Sequence, residues 1–288
     1  MKLPLTLIAM IWMGCGIDTA APGPGVSGST GGGGSGSGTD PSNPADPGDG
    51  TGPITQVSGH ITTSTTWTGT IHVTASTTID AGATVTVVNG TTVDVNAGVA
   101  ITVSGVLAIQ GTKASKVTFR SSSPDEFWSD LIVPAGGAMT ANYLVAVGGG
   151  LDISSTGKVT LVDSHLSHAL GDLLVMSGGT LDMTYSEIGL AAGKDTTHCN
   201  MHVTGAPAIT ATHSNISAAA YGFMFYGGSN AKFQYTNWLG NTIDVDTQPG
   251  SPVTGDFSHG YFAHTPATYA GFTMQNMATS IVLDAGVR

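Results

Sequence analysis

The chain has 288 residues, only 9% of them charged, and its 8 Lys+Arg against 19 Asp+Glu give a net charge of −11. A typical soluble domain carries about 25% charged residues, so Thr, Ser, Asn and Gly must cover much of this surface. Because binding to a phosphate backbone requires clustered Lys and Arg, the composition excludes nucleic acid as a partner.

The amino terminus has the plan of an export signal. Met1 and Lys2 precede a mostly apolar run that ends at Cys15 and is shorter than the roughly 20 residues that span a bilayer. This arrangement resembles a bacterial lipoprotein signal, which implies cleavage before Cys15 and lipid on that residue. Gly16 stands where Asp would imply retention in the inner membrane. We therefore predict a signal peptide at 1–14 and an exported protein, anchored by lipid to the outer membrane or cell surface.

Residues 15–53 combine the predicted lipidated Cys15 with a segment rich in Gly, Ser and Pro, including Gly31–Gly34 and Asn43–Gly50. Such a composition offers almost nothing to bury and is typical of disordered linkers. We predict a flexible tether. With Cys15 lipidated, Cys199 is the remaining thiol of the 2 cysteines, so no intrachain disulfide is expected.

After residue 54 the sequence changes to short alternating runs of Val, Ile and Thr, separated by Gly and Asn, without a sustained helical period. Five similar segments recur at spacings of 22, 22, 28 and 22 residues, so one coil has a six-residue insertion. This period predicts an all-β fold, a parallel β-helix over 54–256, right-handed because parallel crossovers have that hand. Residues 257–288 lose the repeat, and we predict that they cap the last coil.

Five segments of the first coils share a pattern of short strands and corners: Trp67–Val73, Ala81–Val87, Gly90–Val93, Val103–Thr112 and Val117–Ser121. The pattern resembles bacterial right-handed parallel β-helix repeat proteins, which have the pectate-lyase-like fold. The resemblance covers about residues 57–245 and implies the fold. It implies no single activity, because lyases, epimerases, tailspikes and adhesins share this fold.

The 22-residue register aligns two polar columns. The first is predicted to be an internal ladder that hydrogen-bonds across stacked coils: Asn142, Ser164, Ser186, Ser214 and Thr236. The second is predicted to face outward: Tyr143, His165, Glu187, Asn215 and Asn237. An aromatic ring, a carboxylate and amides on one face form a candidate glycan-binding surface, and an ordinary polar sheet face is the alternative.

The six-residue insertion lies between Ile188 and Met201, and insertions on a solenoid often mark its binding side. His198, Cys199 and His202 follow closely, and imidazole and thiolate groups can bind a transition metal. Their spacing matches no zinc signature, and His202 should point away from Met201 on a strand. We therefore expect surface histidines and no metal, with a metal site at these three residues as the alternative.

Asp244 and Asp246 alternate on one predicted strand, about 7 Å apart at the usual strand rise. A glycosidase needs two facing carboxylates roughly 5–10 Å apart, so this pair is the candidate catalytic site. The resemblance implies that a pectate-type lyase would add calcium and a basic residue, but no Lys or Arg falls beside Asp244 in the register. The sequence thus predicts no cofactor, with calcium expected only for a polysaccharide lyase.

Together these features predict a surface scaffold without catalytic activity that binds a polysaccharide or acts in adhesion, and that meets the membrane through Cys15. Two alternatives remain open. One is a polysaccharide lyase or glycoside hydrolase that uses Asp244 and Asp246, and the other is a protein that self-associates through the ends or faces of its solenoid.

Overall fold

The computed structural model describes residues 53–189, 196, 198–227, 230–248, 253–264 and 271–288. These residues form a parallel β-solenoid of about nine turns, in which each strand pairs in parallel with the strand one coil further on. The predicted all-β parallel β-helix with coils of about 22 residues is confirmed. Alternating Val, Ile and Thr favour this fold because successive side chains of a strand point to opposite faces.

Ten strands stack into the first sheet, sheet 1. They are β2 Thr65–Trp67, β4 Thr84–Val88, β7 Val106–Gln110, β10 Ala138–Asn142, β13 Lys158–Val162, β16 Thr180–Thr184, β19 Ala208–Thr212, β22 Asn230–Gln234, β25 Thr254–Asp256 and β27 Phe272–Thr273. The described residues contain no helix with the length and apolarity needed to cross a membrane.

The other two sheets share their first strands, β1 Ile54–Ile61 and β3 Thr70–Ile79, because β3 pairs with β5 through its first half and with β6 through its second. Sheet 2 continues with β5 Thr92–Val95, β8 Val117–Ser121, β11 Leu144–Val147, β14 His165–Ser167, β17 Glu187–Ile188, β20 Asn215–Ser217, β23 Asn237–Leu239 and β26 Tyr261–Phe262. Sheet 3 continues with β6 Ile101–Val103, β9 Asp130–Val133, β12 Gly150–Ile153, β15 Leu174–Met176, β18 Cys199–Val203, β21 Tyr221–Phe225 and β24 Ile243–Thr247.

The core consists of columns of apolar side chains that point inward at the same position of successive coils. One column of sheet 2 has no member more than 2% exposed: Ile71, Val93, Phe119, Ala146, Leu166, Ile188, Ile216 and Trp238. Full burial of a large apolar side chain contributes about 1.5–3 kcal/mol, so these columns hold the coils together.

The hydroxyl ladder at the corner before sheet 2 is internal, as predicted. Its fully buried members are Ser164, Ser186, Ser214 and Thr236. The backbone N–H of Ser164 donates to Ser186 Oγ at 3.1 Å, and that of Ser186 donates to Ser214 Oγ at 3.2 Å. The ladder therefore satisfies backbone groups that the corner would otherwise leave unpaired. Asn142 does not belong to it, because this residue is exposed and lies opposite Val162 on sheet 1.

The observed register departs from the predicted step of 22 residues in the coil that contains Val145 and Leu151. Val145 lies opposite His165, 20 residues on, whereas Leu151 lies opposite Leu174, 23 residues on. The corner after β11 is shorter than the corner after β14, and an alignment with a uniform step does not account for this difference. The assignment of Tyr143 to the outward column was therefore wrong, since Val145 precedes His165 there.

The chain turns back along sheet 2 after its last strand. Strands β26 and β27, which lie within the range 257–288 that the sequence assigns to a cap, pair in parallel with β23 and β25 and extend the solenoid. We call residues 274–288 the C-terminal strap. Its hydrogen bonds reach earlier coils in reverse order: Ala278 to Gly260, Val282 to Asn237, Gly286 to His213 and Arg288 to Asp163.

Candidate functional site

A cluster of polar side chains lies at the corner where the chain enters sheet 3. Leu174 of β15 lies opposite Met201 of β18. Two residues earlier on each side, Asp172 meets Cys199, although 27 residues separate them in the sequence. Most of the intervening insertion, at 190–195 and 197, lies outside the described residues.

Asp172 is the centre of this cluster. Its Oδ1 lies 2.6 Å from His198 Nδ1 and 2.9 Å from Cys199 Sγ, and its Oδ2 lies 2.7 Å from His202 Nδ1. A carboxylate can only accept, so both imidazoles donate from Nδ1 and the thiol donates its proton. Cys199 is fully buried, whereas the side chain of His198 is 46% exposed, which gives the cluster access to solvent.

The cluster fixes the protonation of its members in opposite directions. Burial alone would raise the pKa of Asp172, but the hydrogen bonds from His202, Cys199 and His198 outweigh it and hold that pKa well below its usual value. Burial and then the adjacent carboxylate raise the pKa of the Cys199 thiol. Without a cation in the cluster, Cys199 is therefore a protonated hydrogen-bond donor and not an activated nucleophile.

The cluster continues onto the outer face of sheet 3. The Tyr226 ring meets His202 edge-on at 5.5 Å, and its hydroxyl donates to Asp246 Oδ2 at 2.5 Å. Burial and the bond to this carboxylate raise the pKa of Tyr226, so the phenol remains a donor. A continuous network thus joins Asp172 to Asp246 through His202 and Tyr226.

The ligand atoms of Asp172, His198 and Cys199 lie within 4.8 Å of one another, and no other group of this kind occurs in the described part of the chain. The three candidate metal ligands of the sequence analysis, His198, Cys199 and His202, therefore all contact Asp172. The sequence analysis did not identify Asp172. The apolar register of Leu174 with Met201 would have identified Asp172. The sequence analysis allowed 28 residues for the coil with the insertion, whereas the observed spacing is 27, so it did not place Asp172 opposite Cys199.

The predicted carboxylate pair is divided between two environments. Asp244 is only 7% exposed, accepts from Asn241 Nδ2 at 3.0 Å and lies 3.4 Å from His264 Nδ1. Burial raises its pKa, against the opposing effects of Asn241 and His264. Asp246 instead accepts from Tyr226 in the network of sheet 3. A catalytic role for this pair remains a prediction.

Four residues of the predicted glycan column are stacked in the expected order: His165, Glu187, Asn215 and Asn237. The C-terminal strap covers one end of this column. Asn237 exchanges two hydrogen bonds with the backbone of Val282 and donates to Asn215 Oδ1 at 2.9 Å, which leaves Asn237 only 1% exposed. His165 and Glu187 remain half-buried on the open part of the column.

Tyr143 lies instead at the corner before sheet 2, in left-handed backbone conformation with φ +49°. Later coils have rings at the same corner, also at positive φ: Tyr185, His213, Tyr235 and His259. We call these four residues the ring ladder. Its successive centroids lie 5.0, 4.8 and 4.7 Å apart and its rings are stacked. The sequence analysis missed this ladder because it assigned Tyr143 to a strand face.

A groove of about 620 Å³ lies on sheet 2 in the first coils. Its polar lining includes His72, Asp94, Arg120, Glu126 and His168. Arg120 Nε donates to Asp94 Oδ1 at 2.7 Å, so groups of both charges are held at the groove surface. The sequence analysis did not single out this groove, since its residues come from strands of successive coils, β1 to β11, and from the segments that follow β8 and β14.

Cys15, the predicted signal peptide and all of the predicted tether except Pro53 lie outside the described residues. No family model, curated protein or solved structure matches the chain. The fold is therefore established by the strand pairing of this chain, and its function has to be argued from its own residues.

Proposed function

We propose that the protein is an exported, lipid-anchored scaffold that binds a saccharide in the groove on sheet 2 without cleaving it. The parallel β-helix provides a rigid platform, because every described strand is fixed by neighbours one coil away. The groove itself is the observation that carries the proposal.

The lining of the groove has the chemistry that sugar hydroxyl groups require. Arg120 supplies donors, while Asp94 and Glu126 supply acceptors, and a hydroxyl group can pair with either. Pro124 and Val147 add apolar surface to the same groove. A volume near 620 Å³ falls within the roughly 300–1,000 Å³ typical of small-molecule sites.

The groove is a better candidate than the predicted column. The C-terminal strap occupies Asn237, and Asn237 donates to Asn215, so a ligand at these two residues would have to displace the strap. His165 and Glu187 can extend the binding surface beyond the groove along the same sheet.

The test measures retention of the full-length protein on a panel of acidic and neutral polysaccharides, together with any release of shortened chains. Arg120→Ala should weaken retention about tenfold or more, because a hydrogen bond to a charged group contributes about 1.5–3 kcal/mol. Lys158→Ala is the matched control, since Lys158 is exposed on sheet 1, outside the groove. Equal retention by the two variants would contradict the proposal.

The lipid anchor has its own test. Cys15→Ser should abolish fatty-acid labelling and release the protein from membranes, because the modification requires the thiol. Unchanged labelling of this variant would contradict the anchor and leave the groove proposal intact.

The raised pKa of Asp244 favours one alternative function, a glycoside hydrolase or polysaccharide lyase. A carboxyl group with a raised pKa holds its proton more readily than an ordinary aspartic acid, which favours a role as a general acid. Reducing ends or unsaturated products, released by the wild type but not by Asp244→Asn with Asp246→Asn, would favour it. Dependence of those products on calcium would identify a lyase, and a product-free wild type would exclude both.

A further inference from the structure

The cluster around Asp172 combines three kinds of donor atom at one point. A carboxylate oxygen, an imidazole nitrogen and a sulfur atom lie within 4.8 Å of one another. We propose that Asp172, His198 and Cys199 form a binding site for a divalent transition-metal ion, with Zn²⁺ as the best fit. This inference goes beyond the proposed function, because the cluster lies at the corner before sheet 3 and the groove lies on sheet 2.

The donor set selects the class of metal. Calcium and magnesium take oxygen ligands almost exclusively, whereas Zn²⁺ is bound by Cys sulfur, His nitrogen and Asp oxygen. The His198 and Cys199 donors already contact one atom, Asp172 Oδ1, at 2.6 and 2.9 Å. Small movements of these side chains would let one cation bind all three groups in place of the protons that His198 and Cys199 donate to Asp172.

Binding has a simple proton balance. The incoming ion forms a bond to Cys199 Sγ, the S–H bond breaks, and one proton leaves to solvent. The proton that His198 donates from Nδ1 to Asp172 moves to Nε2 in the same step, so that Nδ1 offers its lone pair to the metal and a neutral imidazole adds no further proton to the balance. The positive charge of the ion stabilises the thiolate that burial and Asp172 otherwise disfavour.

His202 has a different role from the three ligands. It donates from Nδ1 to Asp172 Oδ2 at 2.7 Å, which orients the carboxylate and leaves Oδ1 directed at His198 and Cys199. Hydrogen bonds of this kind to a ligand typically change metal affinity by about 10–100-fold. The exposed edge of His198 provides a path by which an ion can enter.

A hydrogen-bonded hub without any metal would show the same distances, so a second His–Asp pair serves as the comparison. His60 Nδ1 lies 2.8 Å from Asp80 Oδ1, and the His60 side chain is 69% exposed. No thiol belongs to a group of metal ligands with this pair in the described residues. His60→Gln is therefore a matched control for His198→Gln.

The experiment titrates the reduced full-length chain with Co²⁺ in a Cys15→Ser background, where Cys199 is the only thiol. We expect one Co²⁺ per chain, a thiolate-to-cobalt charge-transfer absorption, and release of one proton per ion. Zn²⁺ should displace the Co²⁺, and Ca²⁺ should not. Absence of stoichiometric binding, or binding without the thiolate absorption, would overturn the proposal.

The variants then assign the ligands. His198→Gln should weaken Co²⁺ binding by about tenfold or more, and Cys199→Ser should abolish the thiolate absorption. His202→Gln should keep the absorption and weaken binding by about 10–100-fold. Because His198 is half exposed, its variant should fold even if a change at the buried Cys199 does not. Affinity of His198→Gln equal to that of His60→Gln would overturn the site.

Discussion

The corner that leads into sheet 2 is built differently in the first coils and in the later coils. In the first coils a glycine has the left-handed backbone conformation at this corner: Gly90 at φ +77°, at the register position of the rings, and Gly69 at φ +71°, one residue nearer the strand. In the later coils the same conformation is held by the ring ladder, for example by Tyr235 at φ +54° and His259 at φ +62°. One path of the chain is thus obtained from two kinds of residue.

The difference shows two ways to accommodate the same backbone. Glycine adopts positive φ without steric cost, so the early corners need no compensating contact. For a residue with a Cβ atom this conformation costs roughly 1–2 kcal/mol, and a stacked ring pair stabilises the fold by about 0.5–1.5 kcal/mol. Tyr235 has two such neighbours, His213 at 4.8 Å and His259 at 4.7 Å. The later corners therefore depend on contacts between coils.

The buried side chains of the later coils also make more contacts between aromatic rings than those of the first coils. The first coils bury mostly aliphatic side chains such as Val73 and Ile101, with single aromatic rings such as Phe119, whereas the last coils bury aromatic rings that contact one another. The ring centroid of Trp238 lies 5.3 Å from that of Phe233 on sheet 1 and 5.4 Å from that of Phe262 on sheet 2. We expect the later coils to be more sensitive to single substitutions.

The largest effect is expected in the aromatic interior. Trp238→Ala should lower the free energy of unfolding by about 3–5 kcal/mol, because it removes a fully buried ring and leaves a cavity. Ile101→Val, in the aliphatic interior, should cost only about 0.5–1.5 kcal/mol. Chemical denaturation followed by circular dichroism measures both. Similar losses would show that the two halves do not differ as proposed.

The fold could be predicted because each coil needs apolar residues at the same inward positions. The stacked column from Leu166 to Trp238 produces the spacing that the sequence shows. The coil that contains Val145 could not be aligned, since a shorter corner and a longer one change its register without changing its apolar pattern. The C-terminal strap has no repeat at all, so nothing in its spacing predicted where it would lie.

The next effect concerns the ring ladder. Tyr235→Ala should cost about 1–3 kcal/mol, because it removes two ring contacts and keeps a Cβ atom at positive φ. Tyr235→Gly removes the same contacts but also the backbone strain, so it should be about 1 kcal/mol more stable than Tyr235→Ala. Denaturation midpoints of the two variants decide the question. An alanine variant at least as stable as the glycine variant would refute the strain argument.

The opposite exchange in the first coils should have a smaller effect. Gly69→Ala places a Cβ atom where nothing lies within 4 Å, so only the backbone conformation is penalised, by roughly 1–2 kcal/mol. The same denaturation measurement applies. A neutral result would mean that this corner relaxes to another conformation, and that the early and late corners do not share one strict geometry.

The candidate site was predictable only in part, for a related reason. His198, Cys199 and His202 are close in sequence, so their proximity could be recognised directly. Asp172 comes from the preceding coil, and only the strand register places it among them. The charged lining of the groove likewise depends on stacking, as Arg120 of β8 meets Asp94 of β5 across 26 residues.

The smallest effect on global stability should come from the end of the C-terminal strap. Arg288 forms bonds of 2.9 and 2.8 Å to the two carboxylate oxygens of Asp163, and its guanidinium lies 3.7 Å from the centroid of Tyr185 in the ring ladder. The hydrogen bond from Arg288 is the main reason that the pKa of Asp163 is lowered. A lowered pKa stabilises the folded arrangement above the unfolded value of about 3.9. As the pH falls from this unfolded value through the lower pKa that Asp163 has in the folded protein, the contribution of the ion pair to stability is lost.

Protection of the Gly286 amide, which donates to the carbonyl of His213, reports on this attachment. Hydrogen exchange, corrected for its intrinsic pH dependence, should show protection above about pH 4 and its loss in acid. Arg288→Gln should remove the protection at every pH, whereas Arg120→Gln, which breaks an exposed pair elsewhere, should not. If protection in the wild type persists unchanged in acid, the strap is held by its backbone contacts to Asn237 and not by Asp163.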